Sequence, residues 1–394
     1  MTETFPPGNK LRPVSDVRDL IHADALGTWD TFAPCNTLTF KDGALAFLNE
    51  RGDEARLTPT PWATGQLCAR LGIPASYFRK CPTILQDVQA MYWLRESAAR
   101  GINLESRWLL RAKGETLRAV LSERYSPLDH TELVEVLAPF TKAHHQVDWL
   151  DLSDEGLHLR IVDPHRTRDV LPGDGLSVGI HISNSEVGSR SISIDALVYR
   201  LVCTNGLIRL VKGKSLLKQR HVHIGRPRLV AAIEEAVSQA WSEAEGFLEQ
   251  MKRTTQMPVQ DVEGTLERLG EKWHLSKAVQ DDLLSSLLRE PVQIQETVYG
   301  VVNAVTNVAQ RLSSDARYDM EVLAGHLAEH GVASYAPKPR PRSHAPFDHT
   351  PFTHSDFSES ESFDVVEAAR EMFEAEIVSR HTHLAPFSRE VVKS

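Results

Sequence analysis

The chain has 394 residues, 41% of them apolar and 25% charged, and its 44 Lys+Arg against 53 Asp+Glu give a formal charge of −9. These proportions exclude a collagen-like repeat, a coiled-coil rod and wholesale disorder, and at roughly 100 to 200 residues per domain they predict two folded units with appendages. Four cysteines (Cys35, Cys68, Cys81 and Cys203) without CxxC spacing exclude a disulfide framework and a zinc knuckle, and point to a reduced cytoplasm.

The N-terminal MTETFPPGNKLRPVSD lacks the basic and apolar blocks of a secretory signal, and the chain has no run of about 18 apolar residues to span a membrane. Residues 1–107 read as a hairpin and helical region. Lys41-Asp42-Gly43 lies between alternating segments, a hairpin signature. TPTPWATGQLCARLGIPASYFRKCP reads as helix, Gly72 turn, helix, with Pro74 in the first turn of the second helix. The same segment fits a helix-turn-helix, although a packing hairpin is the favoured reading. Tyr77 and Phe78, beside Arg79 and Lys80, are candidates for stacking on unpaired bases.

Residues 108–228 read as a largely antiparallel sheet domain. Hairpins are expected around Lys113-Gly114 and Glu155-Gly156, and a helix over Glu132 to Ala143. Two long strands should join at Glu186 to Gly188, with a turn at Asn205-Gly206 that needs positive φ. Runs of strands with interposed helices predict an α+β fold rather than a regular α/β alternation. Residues 229–335 carry five 3.6-periodic segments (Leu229 to Met251, Val262 to Trp273, Ser276 to Arg289, Val298 to Leu312, Met320 to Glu329), which predict an all-helical region. Residues 336–362, rich in Pro, Ser and Thr, read as a disordered linker, and 363–394 as an acidic tail whose amphipathic helix presents Phe363, Val366, Phe373 and Ile377. His344, His349 and His354 recur in the linker, but a flexible chain does not preorganise a metal site.

The net charge is an average over unlike parts. Residues 1–165 sum to −4, residues 166–228 to +7 and the remainder to −12. No carboxylate occurs between Asp195 and Glu234. Arg166, Arg168, Arg190, Arg200, Arg209, Lys212, Lys214, Lys218, Arg220, Arg226 and Arg228 are therefore the candidate contacts to a polyanion, where counterion release drives binding. A bland alternative is a strand edge that uses cations to prevent sheet-to-sheet pairing.

Several stretches together resemble a phage- and plasmid-associated family known only as domain of unknown function 932. They are WATGQLCARLGIPASYFRK, LRAVLSERYSPLDHTELVEVL, ISNSEVGSRSISIDALVYRLVCTNGL, RHVHIGRP and ETVYGVVNAVTNVAQRL, in order over roughly residues 60 to 315. The most specific are Arg200, Cys203, Asn205 and Gly206, with Arg220, His221 and Gly225 downstream. The resemblance implies a setting in mobile elements and their DNA transactions, and no mechanism. A helix, a twisted antiparallel sheet and a basic groove also resemble the architecture of Rad52-type single-strand annealing proteins, which form rings.

No phosphate loop or dinucleotide fingerprint occurs, and no cofactor is expected. Cys203 reads as a buried apolar residue rather than a nucleophile. The leading expectation is sequence-independent binding of single-stranded DNA by a homo-oligomer, without catalysis and away from membranes, with the acidic tail helix meeting a protein partner. Two alternatives belong to other classes. One is a metal-dependent nuclease built on His181, Asn184, Glu186 and Asp195; the other is a non-catalytic protein-interaction module.

Overall fold

A computed structural model of the chain describes residues 3–5, 11–48, 52–99, 107–201, 205–210, 214–221 and 225–333. The linker, the tail helix, His344, His349, His354, Cys203 and Lys212 lie outside the described residues. The fold is mixed α+β, as composition and periodicity predict, and no helix among the described residues is long and apolar enough to cross a membrane.

The chain begins with β1 (Glu3–Phe5), β2 (Arg12–Pro13) and α1 (Val14–Asp24), then β3 (Thr28–Pro34), β4 (Thr39–Lys41), β5 (Ala44–Leu48) and β6 (Glu54–Pro59). Asp42 and Gly43, both at positive φ, make the expected β4–β5 hairpin. Three helices follow: α2 (Pro61–Leu71), α3 (Ala75–Phe78) and α4 (Thr83–Ala99). Thr60 caps α2 by accepting from the Ala63 amide, and left-handed Gly72 ends it. Strands β7 (Arg107–Lys113) and β8 (Thr116–Ser122) form the hairpin expected at Gly114. Sequence groups this hairpin with the downstream strands, but in space β7 pairs with β3 and β8 with β6. The result is a six-stranded sheet, β3-β7-β8-β6-β5-β4, antiparallel except at β6–β8.

The second sheet follows α5 (His130–Leu137). It contains β9 (Gln146–Leu152), β10 (Leu157–Leu171), β11 (Asp174–Asn184), β12 (Ile192–Arg200), β13 (Asn205–Arg209) and β14 (Leu217–Gln219). Its order is β1-β9-β10-β11-β12-β13, with β2 also on β9 and β14 also on β12. Asn205-Gly206 is not the expected turn. It opens β13, with Gly206 opposite Tyr199, and a Cβ at Gly206 would strike the Arg160 guanidinium. Close approach, not positive φ, is what requires glycine there.

The helices are α6 (Arg226–Thr254), α7 (Val262–Lys272), α8 (Lys277–Leu287), α9 (Val292–Gln295), α10 (Val298–Ala309) and α11 (Ser314–His330). All five expected helical segments are present, with the short α9 in addition. Helix α6 lies on one face of the sheet. Leu229, Ile233 and Val237 pack with Leu159, Ile180, Ile182 and Ile194, and Phe247, Leu248 and Met251 with Val178, Ala196 and Val198. At about 1.5 to 3 kcal/mol for each large apolar side chain, this interface is a major source of stability. Helix α11 meets β13 and the opposite face, and Gly325 lets its backbone approach the Ile208 carbonyl.

Candidate nucleic-acid interface

Six of the eleven candidate cations have their charge met by a carboxylate. On β10, Arg166 reaches Glu245 at 3.5 Å and Asp163 at 3.3 Å, and Arg168 reaches Glu249 at 2.5 Å. Arg209 on β13 pairs with Glu243 at 2.8 Å. Arg190 holds Asp315 at 3.3 Å, and Arg226 pairs with Glu132. Arg200 is the clearest correction: it is 7% exposed, and its guanidinium lies 2.7 Å from Asp174 and 3.1 Å from Glu290. Such a group is a structural ion pair and reaches no phosphate. Glu243, Glu245 and Glu249 all belong to α6, so the acidic helical region neutralises the basic strands it packs against.

Lys214, Lys218, Arg220 and Arg228 differ. All four are exposed, and they form no ion pair among the described residues. Lys218 and its neighbours lie on β14 and its flanks, at the edge where β14 pairs with Ile192–Ile194 of β12. Arg228 lies in the first turn of α6, whose N-cap is Gly225 with no side-chain cap and no acid in that turn. The partial positive charge of this helix end is therefore left uncompensated by any carboxylate of its own first turn.

The stacking pair also divides. Tyr77 is 53% exposed, whereas Phe78 is 1% exposed and meets Phe40 edge-on in the core of the six-stranded sheet. Phe78 is thus corrected to a core residue. Helix α3 is a single turn, too short to serve as a recognition helix in a major groove. Sequence reading missed the helix that follows. Ile84, Val88 and Tyr92 recur at i, i+4, i+8 on α4 and are all exposed, with Leu85 and Trp93 beside them. The low amphipathicity of TILQDVQAMYWLRESAA was the available signal: α4 has apolar residues on both faces.

The nuclease constellation does not assemble. Successive residues of a strand face opposite ways, so Ile180 and Ile182 enter the α6 core while His181 turns to α11 and lies 5.0 Å from the Tyr318 ring. Asp195, paired opposite His181, accepts from the Tyr318 hydroxyl at 3.0 Å, and burial pushes its carboxyl up to about 6. His181 is held well below the ordinary imidazole range, by burial first and the neighbouring His158 second. Both side chains are fully buried, so no substrate reaches them. Around them Arg160 bridges Glu321 and Asp148, and Arg317 bonds Glu321 at 2.9 Å and lies over the Trp149 ring at 4.1 Å. This is a buried ion-pair layer between sheet and helix.

Asn184 and Glu186 belong to a separate cluster. Asn184 donates to the Leu128 carbonyl, and Ser185 accepts from the amides of Val187 and Ser189, which satisfies the tight turn as local hydrogen bonding predicts. Glu186 accepts from Arg118 at 2.8 Å and from the His130 amide at 2.8 Å. Burial alone would raise its carboxyl, but His130 and Arg118 outweigh burial and hold it at about 2. Buried Arg111 reaches Asp30, Asp129 and the Glu186 carbonyl together, and Trp62 and Gln66 of α2 both donate to the Val187 carbonyl. The β11–β12 turn is thereby clamped to the six-stranded sheet. His221 closes this cluster: it is 3% exposed, sits 5.4 Å from the Tyr125 ring, and burial lowers its imidazole to about 4.

A family model described as Domain of unknown function (DUF932) matches residues 118–322. The chain belongs to this family. The DUF932 region runs from Arg118 in β8 to Val322 in α11, and so contains the β14 edge, the Glu186–Arg118 pair and the ion-pair layer beneath α11. Arg111, α2 and the exposed face of α4 precede it, so the stretch from Trp62 to Lys80, expected as part of the resemblance, lies outside the match. No curated protein and no solved structure matches the chain.

Proposed function

We propose that this DUF932 protein binds nucleic acid without sequence preference, and single strands before duplex, through Lys214, Lys218, Arg220 and Arg228. The observation that carries this reading is the contrast within one basic stretch: these four cations stay exposed and unpaired while six others are met by carboxylates. An extended edge strand beside an uncapped helix start offers phosphate contacts along a line, and no recognition helix comes from the α2–α3 hairpin. Four contacts are few, so useful affinity comes from repetition of the edge in a homo-oligomer. Recombination or maintenance of mobile DNA is the setting that fits.

The test is anisotropy of a labelled oligonucleotide. Four phosphate contacts give a slope of log K against log salt of about −3 for single strands, or roughly 50-fold weaker binding between 50 and 200 mM salt. Changing the four residues together to Ala should abolish binding at low salt, and unchanged affinity in that variant would end the proposal.

A second reading, a protein-interaction module, is favoured by the α4 face, because Ile84, Leu85 and Val88 are aliphatic and suit an apolar partner better than bases. Ile84→Asp with Val88→Asp should then abolish partner capture and leave oligonucleotide binding intact.

A further inference from the structure

Beside β10, on its α6 side, three histidines gather round one carboxylate. Asp163 is 1% exposed. Its Oδ1 accepts from the His165 amide at 3.0 Å and lies 3.2 Å from His144 Nε2. Its Oδ2 faces His145 Nε2 at 3.4 Å and Arg166 Nε at 3.3 Å. His145 Nδ1 accepts from the Lys142 amide at 3.3 Å, so its proton resides on Nε2 and points at Oδ2. Asp163 is therefore oriented by partners on one oxygen, while the other faces the more accessible imidazoles. The register of β10 against β11 shifts between Asp163 and Thr167, and this irregularity carries His165 next to Asp163. His144 and His165 stack at 4.3 Å between centroids, and one ligand atom from each of His144, Asp163 and His165 fits within 4.8 Å.

We propose that His144, Asp163 and His165 form a binding site for a borderline divalent transition metal of the Zn²⁺ class. Imidazole nitrogen selects such ions over Mg²⁺ and Ca²⁺, which take oxygen ligands. At metal–ligand distances near 2.05 Å, a tetrahedron has an edge of about 3.3 Å, close to the 3.2 Å between His144 Nε2 and Asp163 Oδ1. The third ligand closes by rotation of the exposed His165 ring out of its stack on His144. Two imidazoles and a carboxylate leave one position for water, and His145 is the outer partner that fixes the carboxylate. Arg166 opposes a cation here by Coulomb repulsion, which sets the affinity below that of a four-ligand structural zinc site. The bound ion ties the segment before β9 to β10, next to Trp241 of α6, whose ring lies 4.6 Å from His145.

The experiment uses the full chain, stripped with chelator and titrated with Co²⁺ and then Zn²⁺. One Co²⁺ with the intense visible absorption of a tetrahedral ion is expected, displaced by Zn²⁺, together with a raised thermal midpoint. His144→Ala with His165→Ala should lose that absorption and weaken the site at least ten-fold, and Asp163→Asn should do the same. His165 is exposed and His144 half-buried, and circular dichroism checks that the double variant folds. Changing His344, His349 and His354 together to Ala should leave the spectrum unaltered. An undiminished tetrahedral spectrum in the His144/His165 variant, its loss in the His344/His349/His354 variant, or a parent that takes up no Co²⁺ would each overturn the proposal.

Discussion

The strands β10 to β13 and the β14 edge carry the same kinds of side chain to opposite ends. On the first, Arg166, Arg168 and Arg209 meet Glu245, Glu249 and Glu243 of α6, and Arg200 meets Glu290 of the α8–α9 turn, all from much later in the sequence. On the second, Lys214, Lys218 and Arg220 face solvent and form no ion pair among the described residues, although Lys218 is near enough to Asp195 and Asp319 to lower their carboxyls against burial. A run of cations in a sequence is thus no map of surface potential. What decides the potential is which helix packs over which strand, and the acidic helices cover only part of the sheet.

The largest effect that sharpens this comparison belongs to the buried pairs. Arg160→Ala takes away the ion-pair partner of buried Asp148 and leaves Glu321 with Arg317 alone under α11. It should cost about 3 to 5 kcal/mol in denaturant unfolding. Arg200→Ala, which strands Asp174 and Glu290, should cost nearly as much; a loss under 1 kcal/mol would return Arg200 to the exposed class. Next comes pH. His221 is held at about 4 against an unfolded value of 6.5, so the unfolded chain takes up a proton that the folded chain refuses. Its contribution is fully present above pH 6.5 and is lost as pH falls towards 4, by up to about 3 kcal/mol. His130, His158 and His181 are also lowered by burial and act in the same sense, while Asp195, raised to about 6, acts against them. His221→Gln should flatten this slope, which unfolding at pH 4.5 and 7 measures. The smallest effect belongs to an exposed pair: Arg168→Ala, paired with Glu249 where both are more than half exposed, should change stability by less than about 1 kcal/mol.

Much of the fold was legible because it rests on local rules. The Asp42-Gly43 and Gly114 hairpins, the Gly72 stop of α2 and the five C-terminal helices follow from turn chemistry and periodicity, which neighbours in sequence determine. The illegible features all depend on partners far along the chain. That β7 pairs with β3 is a choice among strands of similar alternation. That Tyr77 is exposed and Phe78 buried depends on Phe40, and that Gly206 is required depends on Arg160. The candidate interface shrank from eleven cations for the same reason. Its sign was readable from composition, but its extent needed α6.

The central claim, that unpaired rather than total cations make the interface, is tested by the salt dependence of oligonucleotide binding in two variants compared with the parent. One changes Lys214, Lys218, Arg220 and Arg228 to Ala, and the other changes the paired Arg166, Arg168 and Arg209 to Ala. The account predicts that the first loses binding and its salt slope of about −3 while the second keeps both. Equal losses in the two variants, or undiminished binding in the first, would contradict it.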